Sequence, residues 1–539
     1  MTEATTSITA ANDPEQPVDE AQVPRQFNAT DYFIERHLKE GRGGNCAVID
    51  RNGETTYATL AERVSQAANM LQGLGLRQDA RIALAMLDSV EYPTAFWGAL
   101  KAGIVPVCLN TLLTSEHYQY ILSDCRAQVL IVEDALLDRF EPLFSDLPHL
   151  ERVIVVGAAG DHAPAWQDRL AAENKEATSA ETLRDDIAFW LYSSGSTGNP
   201  KGVPHRHASL FWIAELYGRG VLGINEDDRI FSIAKLFFAY GLGNGMAFPF
   251  AVGATAIYHD GRPTPAVALE LMEKHQPTIF CGVPTLYAAL LGDTSLRSHP
   301  GSGALRRSIS AGEALPSDVG HNWEKRFGTP ILDGVGSTEM LHIFLSNRMD
   351  SLQYGTSGRP VPGYQLRLLD AQGNDVPHGD IGELLVRGPS TADSYWNQRS
   401  KSLQTFVGGW TYTGDKYYQD PEDRYHYCGR SDDMFKSAGN WVSPFEVESA
   451  LIEHEWVLEA AVVSHADDTG NLKPCAYIVL NSDVALPSDE IERQIQAFVR
   501  ERIELWKYPR WVRIVDELPK TATGKIQRFR LRDMSEDEV

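Results

Sequence analysis

The segment Tyr192-Ser193-Ser194-Gly195-Ser196-Thr197-Gly198-Asn199-Pro200-Lys201-Gly202 concentrates hydroxyls, glycines and a lysine in one short stretch. Glycine lets a backbone bend closely around a ligand. Successive N–H groups and hydroxyls donate to phosphate oxygens, and a lysine supplies charge. That combination suits a polyphosphate. The apolar run Ile187–Leu191 precedes it, so the segment is expected as a loop leaving a strand. It is not a Walker loop, in which lysine directly follows glycine and precedes Ser or Thr. Here Asn199-Pro200 separates Gly198 from Lys201, and Gly202 follows.

Nearby patterns suggest other chemistry and are set aside. Gly218-Arg219-Gly220-Val221-Leu222-Gly223 has dinucleotide-fingerprint spacing. Leu210–Tyr217 before it has helical spacing, whereas such a fingerprint opens after a strand. His205-Arg206-His207 lacks further ligands at metal-site spacing and reads as a pair of loop histidines. The chain has no G-x-S-x-G elbow, which argues against a serine hydrolase of that type.

The phosphate-suited segment needs strands and helices to hold it. Arg81–Leu87, Ala127–Val132 and Arg152–Val156 read as buried strands, and Thr59–Leu74 and Tyr92–Ala102 have helical spacing. Further strands are expected at Arg229–Ile233, Ala254–Tyr258, Thr278–Gly282, Arg307–Ser310 and Pro330–Leu332. Such alternation predicts a mostly parallel sheet with helices on its faces and ligands at the carboxyl ends of its strands. Beyond about residue 355 the pattern becomes short strands among glycines (Leu366–Leu369, Gly382–Val386, Arg424–Tyr427). From Val457 strands at Ala460–Val463, Pro474–Val479 and Trp511–Val515 surround a helix over Ser488–Leu505. The expected organisation is a disordered acidic tail over 1–24, a large N-terminal α/β domain over 25–430 with parallel sheets and a β-rich part, and a small α+β domain over 431–539.

Composition narrows the function. The 539 residues carry 73 acidic against 49 basic side chains, a net charge of −24. This argues against a general nucleic-acid binder, which shows a basic balance or stripe. Six cysteines with no C-x-x-C pair fit a reduced cytoplasm better than disulfides or a zinc site. No apolar run approaches the ~18–20 residues of a membrane span, and residues 1–24 lack the basic start and apolar stretch of a signal peptide.

The segment Tyr192–Gly202 resembles the phosphate loop of the acyl-adenylate-forming superfamily. Five more motifs agree, in the family's order: Ser310-Ala311-Gly312-Glu313-Ala314, Asp333-Gly334-Val335-Gly336-Ser337-Thr338-Glu339, Tyr412-Thr413-Gly414-Asp415, Gly429-Arg430-Ser431-Asp432-Asp433-Met434-Phe435-Lys436 and Pro519-Lys520-Thr521-Ala522-Thr523-Gly524-Lys525. Within the superfamily, Lys235–Asn244 and Met340–Asn347 resemble benzoate- and hydroxybenzoate-CoA ligases. The resemblance implies a large N-terminal domain with a small mobile C-terminal one. It also implies two half-reactions: attack of an aromatic carboxylate on the α-phosphate of ATP, then attack of the CoA thiol on the acyl-adenylate, with Mg2+ assisting the first. Benzoate leads as substrate, with 4-hydroxybenzoate and aminobenzoates as alternatives. A stand-alone aryl adenylation enzyme serving a carrier protein is a second one. A monomer or homodimer in the cytoplasm is expected, with no nucleic-acid or membrane partner.

The resemblance also implies roles. Ser193, Ser194, Gly195, Ser196, Thr197, Gly198 and Lys201 would hold the ATP phosphates. Thr338 would donate to the α-phosphate and Glu339 hold Mg2+. The backbone of Gly312, Glu313 and Ala314, with Asp333 and Gly334, would meet adenine, and Asp415, assisted by Arg430, the ribose hydroxyls. Lys525 is the expected catalytic lysine of adenylation. Asp432 is the expected hinge that exchanges it for the Lys436–Trp441 segment, where Ala438, Gly439 and Trp441 would line the CoA path and Lys436 would touch the acyl group. Phe238, Ala239, Tyr240, Leu341, His342 and Ile343 would wall a short acyl pocket suited to one ring, with His342 its readily titratable member.

Overall fold

The computed structural model describes residues 18–158, 165–195, 198–296, 298–437, 440–467, 470–481, 487–520 and 526–534. The chain forms two compact units. The first runs to Tyr354 and adds Gly358–Leu366 and Val386–Thr411; the second comprises Gly355–Ser357, Arg367–Leu385 and the chain from Tyr412 onward. The boundary expected near residue 430 lies inside the second unit.

Two sheets organise the first unit. One is six-stranded among the described residues, in the order Arg152–Val156, Val129–Glu133, Arg81–Ala85, Val105–Cys108, Ile187–Gly195, Gly198–Arg206. Its strands are parallel up to Ile187–Gly195, and the last pair is antiparallel. The other is nine-stranded among the described residues. Its inner strands, including Arg229–Ser232, Ile279–Gly282, Arg307–Ser310 and Ile331–Gly336, run parallel, and antiparallel neighbours close both edges. Strands covered on both faces are apolar along most of their length, which explains the runs Val129–Val132 and Ile279–Gly282 in strands buried throughout; the buried Glu133 that ends the first is paired with Arg51 at 3.0 Å. Trp190, Tyr118 and Phe140 anchor one core, and Trp323, Tyr287 and Phe280 the other.

In the second unit the sheet Val457–Ala466, Leu472–Leu480, Trp511–Ile514 packs against the helices Pro444–Ile452 and Ser488–Arg500. The latter stops short of the expected Leu505; past its end the Arg502 N–H turns back three residues to the Val499 carbonyl, tightening the last turn.

Two expectations need correction. The tail expected to be disordered through residue 24 is ordered in its described part. Arg184 Nη1 donates to the carbonyls of Glu20 and Val23, both at 2.8 Å, and Val23 is buried. Composition alone does not reveal a distant arginine that satisfies backbone carbonyls. The glycine-rich segment is a β-hairpin rather than a loop leaving a strand. Ile187–Gly195 pairs antiparallel with Gly198–Arg206, from Ile187 opposite Arg206 to Gly195 opposite Gly198. Ser196 and Thr197 lie outside the described residues.

Candidate active site

The carboxyl ends of parallel strands converge in the first unit. After Arg229–Ser232 the chain passes through Phe238, Ala239 and Tyr240, after Arg307–Ser310 through Gly312–Ala314, and after Ile331–Gly336 through the turn Ser337–His342. This is where an open parallel sheet places its ligands. Gly312 takes φ +97°, a conformation costly for residues with a Cβ.

The hairpin is fixed at its base. Tyr192 donates to Asp124 Oδ2 at 2.7 Å, Trp396 Nε1 to the Asp124 carbonyl at 2.9 Å, and the Trp396 N–H to the Gly202 carbonyl at 2.9 Å. Burial raises the Tyr192 hydroxyl pKa well above its usual value. Ser193 Oγ is buried without a hydrogen-bond partner among the described residues, a donor left available beside the hairpin tip.

Lys201 stands 4.0 Å from Glu339 Oε1 and 4.4 Å above the Tyr395 ring. Tyr395 donates to Glu339 Oε1 at 2.7 Å, and the Ala392 N–H to the Glu339 carbonyl at 2.8 Å. The turn itself is held by Ser337 Oγ, which accepts from the Met340 N–H at 3.2 Å, and by the Leu341 N–H donating to the Thr338 carbonyl at 3.1 Å. Leu341 is buried at φ +67°, a left-handed conformation that leucine seldom adopts. Among the described residues no group of three or more His, Cys, Asp or Glu could hold a metal. One oriented carboxylate beside a threonine suits a hard, largely hydrated cation that takes its remaining ligands from phosphate and water.

His205 and His207 are not loop residues. Both are buried, on the strand Gly198–Arg206 and at the start of the helix His207–Ile213. His207 Nδ1 accepts from the Ala29 N–H at 3.2 Å. Burial lowers their pKa values to about 4 and about 3.

Three aromatic rings box the imidazole of His342: Tyr217, Tyr240 and Phe248, with centroids at 5.6, 5.7 and 4.6 Å. Nε2–H faces the Tyr240 carbonyl at 3.3 Å, and Nδ1 is buried without a partner among the described residues. Burial lowers its pKa to about 3, so His342 is not the readily titratable wall residue expected; its sequence neighbours did not reveal the enclosure. The Tyr240 hydroxyl donates to the carbonyls of Gly282 and Ile309 at 3.1 and 3.2 Å and is thereby committed to the sheet. Phe238 and Ala239 are half-buried at the start of a short helix. Ile343 packs on the bare face of Gly334, where a Cβ would come within 2.9 Å of it. Asp333 is buried, and its Oδ2 accepts from the Leu315 N–H at 3.4 Å. Burial lifts its carboxyl pKa to about 8.

In the second unit Asp415 lies opposite Arg430 across paired strands, and Arg430 Nη1 donates to Asp415 Oδ1 and to the Thr413 carbonyl, both at 3.0 Å. Burial alone would lower the arginine's pKa; Asp415, together with Tyr427 and Asp432, outweighs it and raises it. Asp432 is exposed in a turn, with its carbonyl 3.3 Å from Arg532 Nη1. Lys436 Nζ lies 5.0 Å from the Trp441 ring centroid. Ala438, Gly439 and Lys525 lie outside the described residues.

Sequence reasoning did not single out His205, Tyr395, Tyr217 or Phe248 as site residues. Tyr395 sits 56 positions from Glu339 in no pattern of its own, and only the sheet topology joins them. The run from Leu210 to Tyr217 showed helical spacing, but not what the helix faces.

Comparison with known proteins identifies the family. The AMP-binding enzyme family matches residues 34–396, and the AMP-binding enzyme C-terminal domain matches residues 446–525. A benzoate–CoA ligase of Thauera aromatica is 51% identical, over 95% of this chain and 97% of that protein. A 4-hydroxybenzoate–CoA/benzoate–CoA ligase of Rhodopseudomonas palustris is 49% identical, over 95% of each. The crystal structure of the anthranilate CoA ligase AuaEII in complex with anthranoyl-AMP superimposes with a TM-score of 0.91 at 42% identity, covering 96% of this chain and 98% of that one.

Proposed function

The chain belongs to the AMP-binding enzymes, and from that premise we propose that it is a benzoate–CoA ligase. A benzoate oxygen attacks the α-phosphorus of ATP and expels diphosphate. The CoA thiol, losing its proton, then attacks the carbonyl carbon of benzoyl-adenylate and expels AMP. The near-full-length identity to the Thauera enzyme carries this reading. Tyr217, Tyr240 and Phe248 close around His342, and side chains that fill this region favour a short acyl group over a long fatty chain.

In this reading the hairpin holds the phosphates, and Ser193 and Lys201 are its described polar members. Thr338 donates to the α-phosphate oxygens. Glu339, oriented by Tyr395, would hold Mg2+, which would supply charge to offset that of the phosphates. Asp415 takes the ribose hydroxyls, with Arg430 holding its carboxylate in place. Gly312–Ala314 and Asp333 face adenine. Lys525 brings carboxylate and α-phosphate together. Rotation about Asp432 then replaces it with the segment from Lys436 to Trp441 for thioester formation. We place the enzyme in the cytoplasm as a monomer or homodimer; all six cysteines are unpaired, which supports a reducing compartment.

A specific observation favours 4-hydroxybenzoate as a second substrate: Nδ1 of His342 is an acceptor without a partner among the described residues, and a para hydroxyl could donate to it. The test is a panel of aryl acids, with and without ring substituents and with octanoate as control, ranked by kcat/KM in CoA-dependent turnover. Benzoate at the head supports the reading, and octanoate rivalling benzoate overturns it.

A further inference from the structure

One strand reaches the Thr338–Glu339 turn at two points. Along Gly198–Arg206 side chains alternate, so positions 201, 203 and 205 share a face. Lys201 approaches Glu339 Oε1 at 4.0 Å. Four residues on, His205 Nε2 lies 2.8 Å from the Thr338 carbonyl. A ring nitrogen facing a carbonyl oxygen carries the proton and donates. The imidazole is buried and stacked on Phe189, its cross-strand partner, at a centroid distance of 5.4 Å. The carbonyl it holds also accepts from the N–H of Leu341, the residue in the left-handed conformation. Burying an imidazole costs more than burying an aliphatic side chain of similar size unless a hydrogen bond offsets the difference. The bond to Thr338 is that offset, and it lies beside the site rather than in the distant core.

We propose that His205 is a positioning residue for adenylation. Its N–H pins the Thr338 carbonyl, holds the strained turn closed, and so keeps the Thr338 hydroxyl and the Glu339 carboxylate in register with the phosphate-binding hairpin that the same strand carries. The inference rests on reading Thr338 and Glu339 as the groups that face ATP. His205 itself touches no substrate. It acts through the turn, where a small displacement is costly because the reacting atoms must be aligned before reaction.

The test is benzoate-dependent ATP–pyrophosphate exchange by the full-length enzyme, comparing wild type with His205→Phe, His205→Leu and His205→Gln, with thermal unfolding of each. Phe and Leu remove the donor but keep the site apolar and filled; Gln can bring an N–H to the same carbonyl. The expected result is a kcat for exchange lowered roughly tenfold or more in the Phe and Leu variants, with KM for ATP changed less than about threefold. His205→Gln recovers most of that kcat, although its unfolding temperature is no higher than theirs. The proposal is overturned if whichever of the Phe and Leu variants folds keeps the wild-type kcat, or if the Gln variant falls as far as they do. A wild type that exchanges with no aryl acid overturns the functional reading, and this inference with it. Full exchange in both wild type and donor-less variants overturns the inference alone.

Discussion

Gly243 lies directly against the imidazole of His342. A Cβ at position 243 would stand 2.3 Å from Cδ2 and 2.6 Å from Nε2 of that ring. Tyr217, Tyr240 and Phe248 confine the same ring, so it has little freedom to yield. The shape of the proposed acyl site is therefore set partly by an absent side chain.

Gly243→Ala tests this relationship. In a helix such a change gains up to about 1 kcal/mol, but overpacking a closed site costs about 1–3 kcal/mol, and at these distances the clash should win. The variant is expected to unfold at lower urea concentration than wild type and to lose kcat/KM for benzoate. Adding His342→Ala should restore part of the stability, so the double mutant is more stable than the sum of the single effects. Additivity within about 0.5 kcal/mol would mean that the ring moves aside at no cost.

A second expectation concerns pH. Burial keeps the His342 pKa near 3, so the ring is neutral over any working range. His342→Ala should leave the shape of the kcat/KM–pH profile unchanged above about pH 5 while reordering para-substituted acids. A wild-type inflection near the ordinary histidine pKa that disappears in the mutant would contradict the enclosure described.

Local patterns made much of the scaffold readable. The strands Arg152–Val156 and Arg307–Ser310 appear at their expected bounds; each ends within two residues of a glycine, Gly157 and Gly312, a local signal that needs no distant partner. The helices Tyr57–Gly73 and Glu91–Lys101 follow their apolar spacing closely. The glycine-rich segment was legible as a ligand-binding stretch but not as a hairpin, since antiparallel pairing depends on residues on both sides of the turn. The site was legible where function resides in a short motif, as at Ser337–Glu339. It was not legible where a side chain acts across sequence: Tyr395 on Glu339, His205 on Thr338, and Tyr217 and Phe248 on His342. The histidines at 205 and 207 show the same limit, because their burial comes from the sheet and from Ala29 rather than from adjacent residues.

Asp333 yields a stability prediction. Its ordinary pKa of 3.8 rises to about 8 on burial, so the folded protein holds a proton that the unfolded chain has released. The stability contributed by this proton is complete below about pH 4 and is lost as pH rises toward 8. Asp333→Asn removes the titration. Urea midpoints at pH 5, 6.5 and 8 should therefore fall less with rising pH in the variant than in wild type; parallel curves would show that the carboxyl is ionised in the native state.

The last prediction concerns Lys525, whose proposed role belongs to one half-reaction only. The chain leaves at Lys520 and returns at Ile526 across an antiparallel bridge, closed by the Gln527 N–H donating to the Pro519 carbonyl at 2.8 Å. Lys520 is held to both oxygens of Glu459 at 2.6 and 2.8 Å. The described residues on either side of 521–525 are thus tied to each other and to Glu459. In the proposed role Lys525 bridges the benzoate carboxylate and an α-phosphate oxygen, offsetting a repulsion that grows as the two anions approach. Removing a preorganised charge from such a transition state costs on the order of 10²–10³ or more in rate. Lys525→Ala should therefore depress ATP–pyrophosphate exchange by at least that factor. Once benzoyl-adenylate exists, the thiol attacks an activated carbonyl and no anionic carboxylate remains to be neutralised. The variant supplied with synthetic benzoyl-AMP and CoA should form benzoyl-CoA at close to the wild-type rate. Equal loss in the two assays would refute a lysine that serves adenylation alone, and with it the exchange of segments about Asp432.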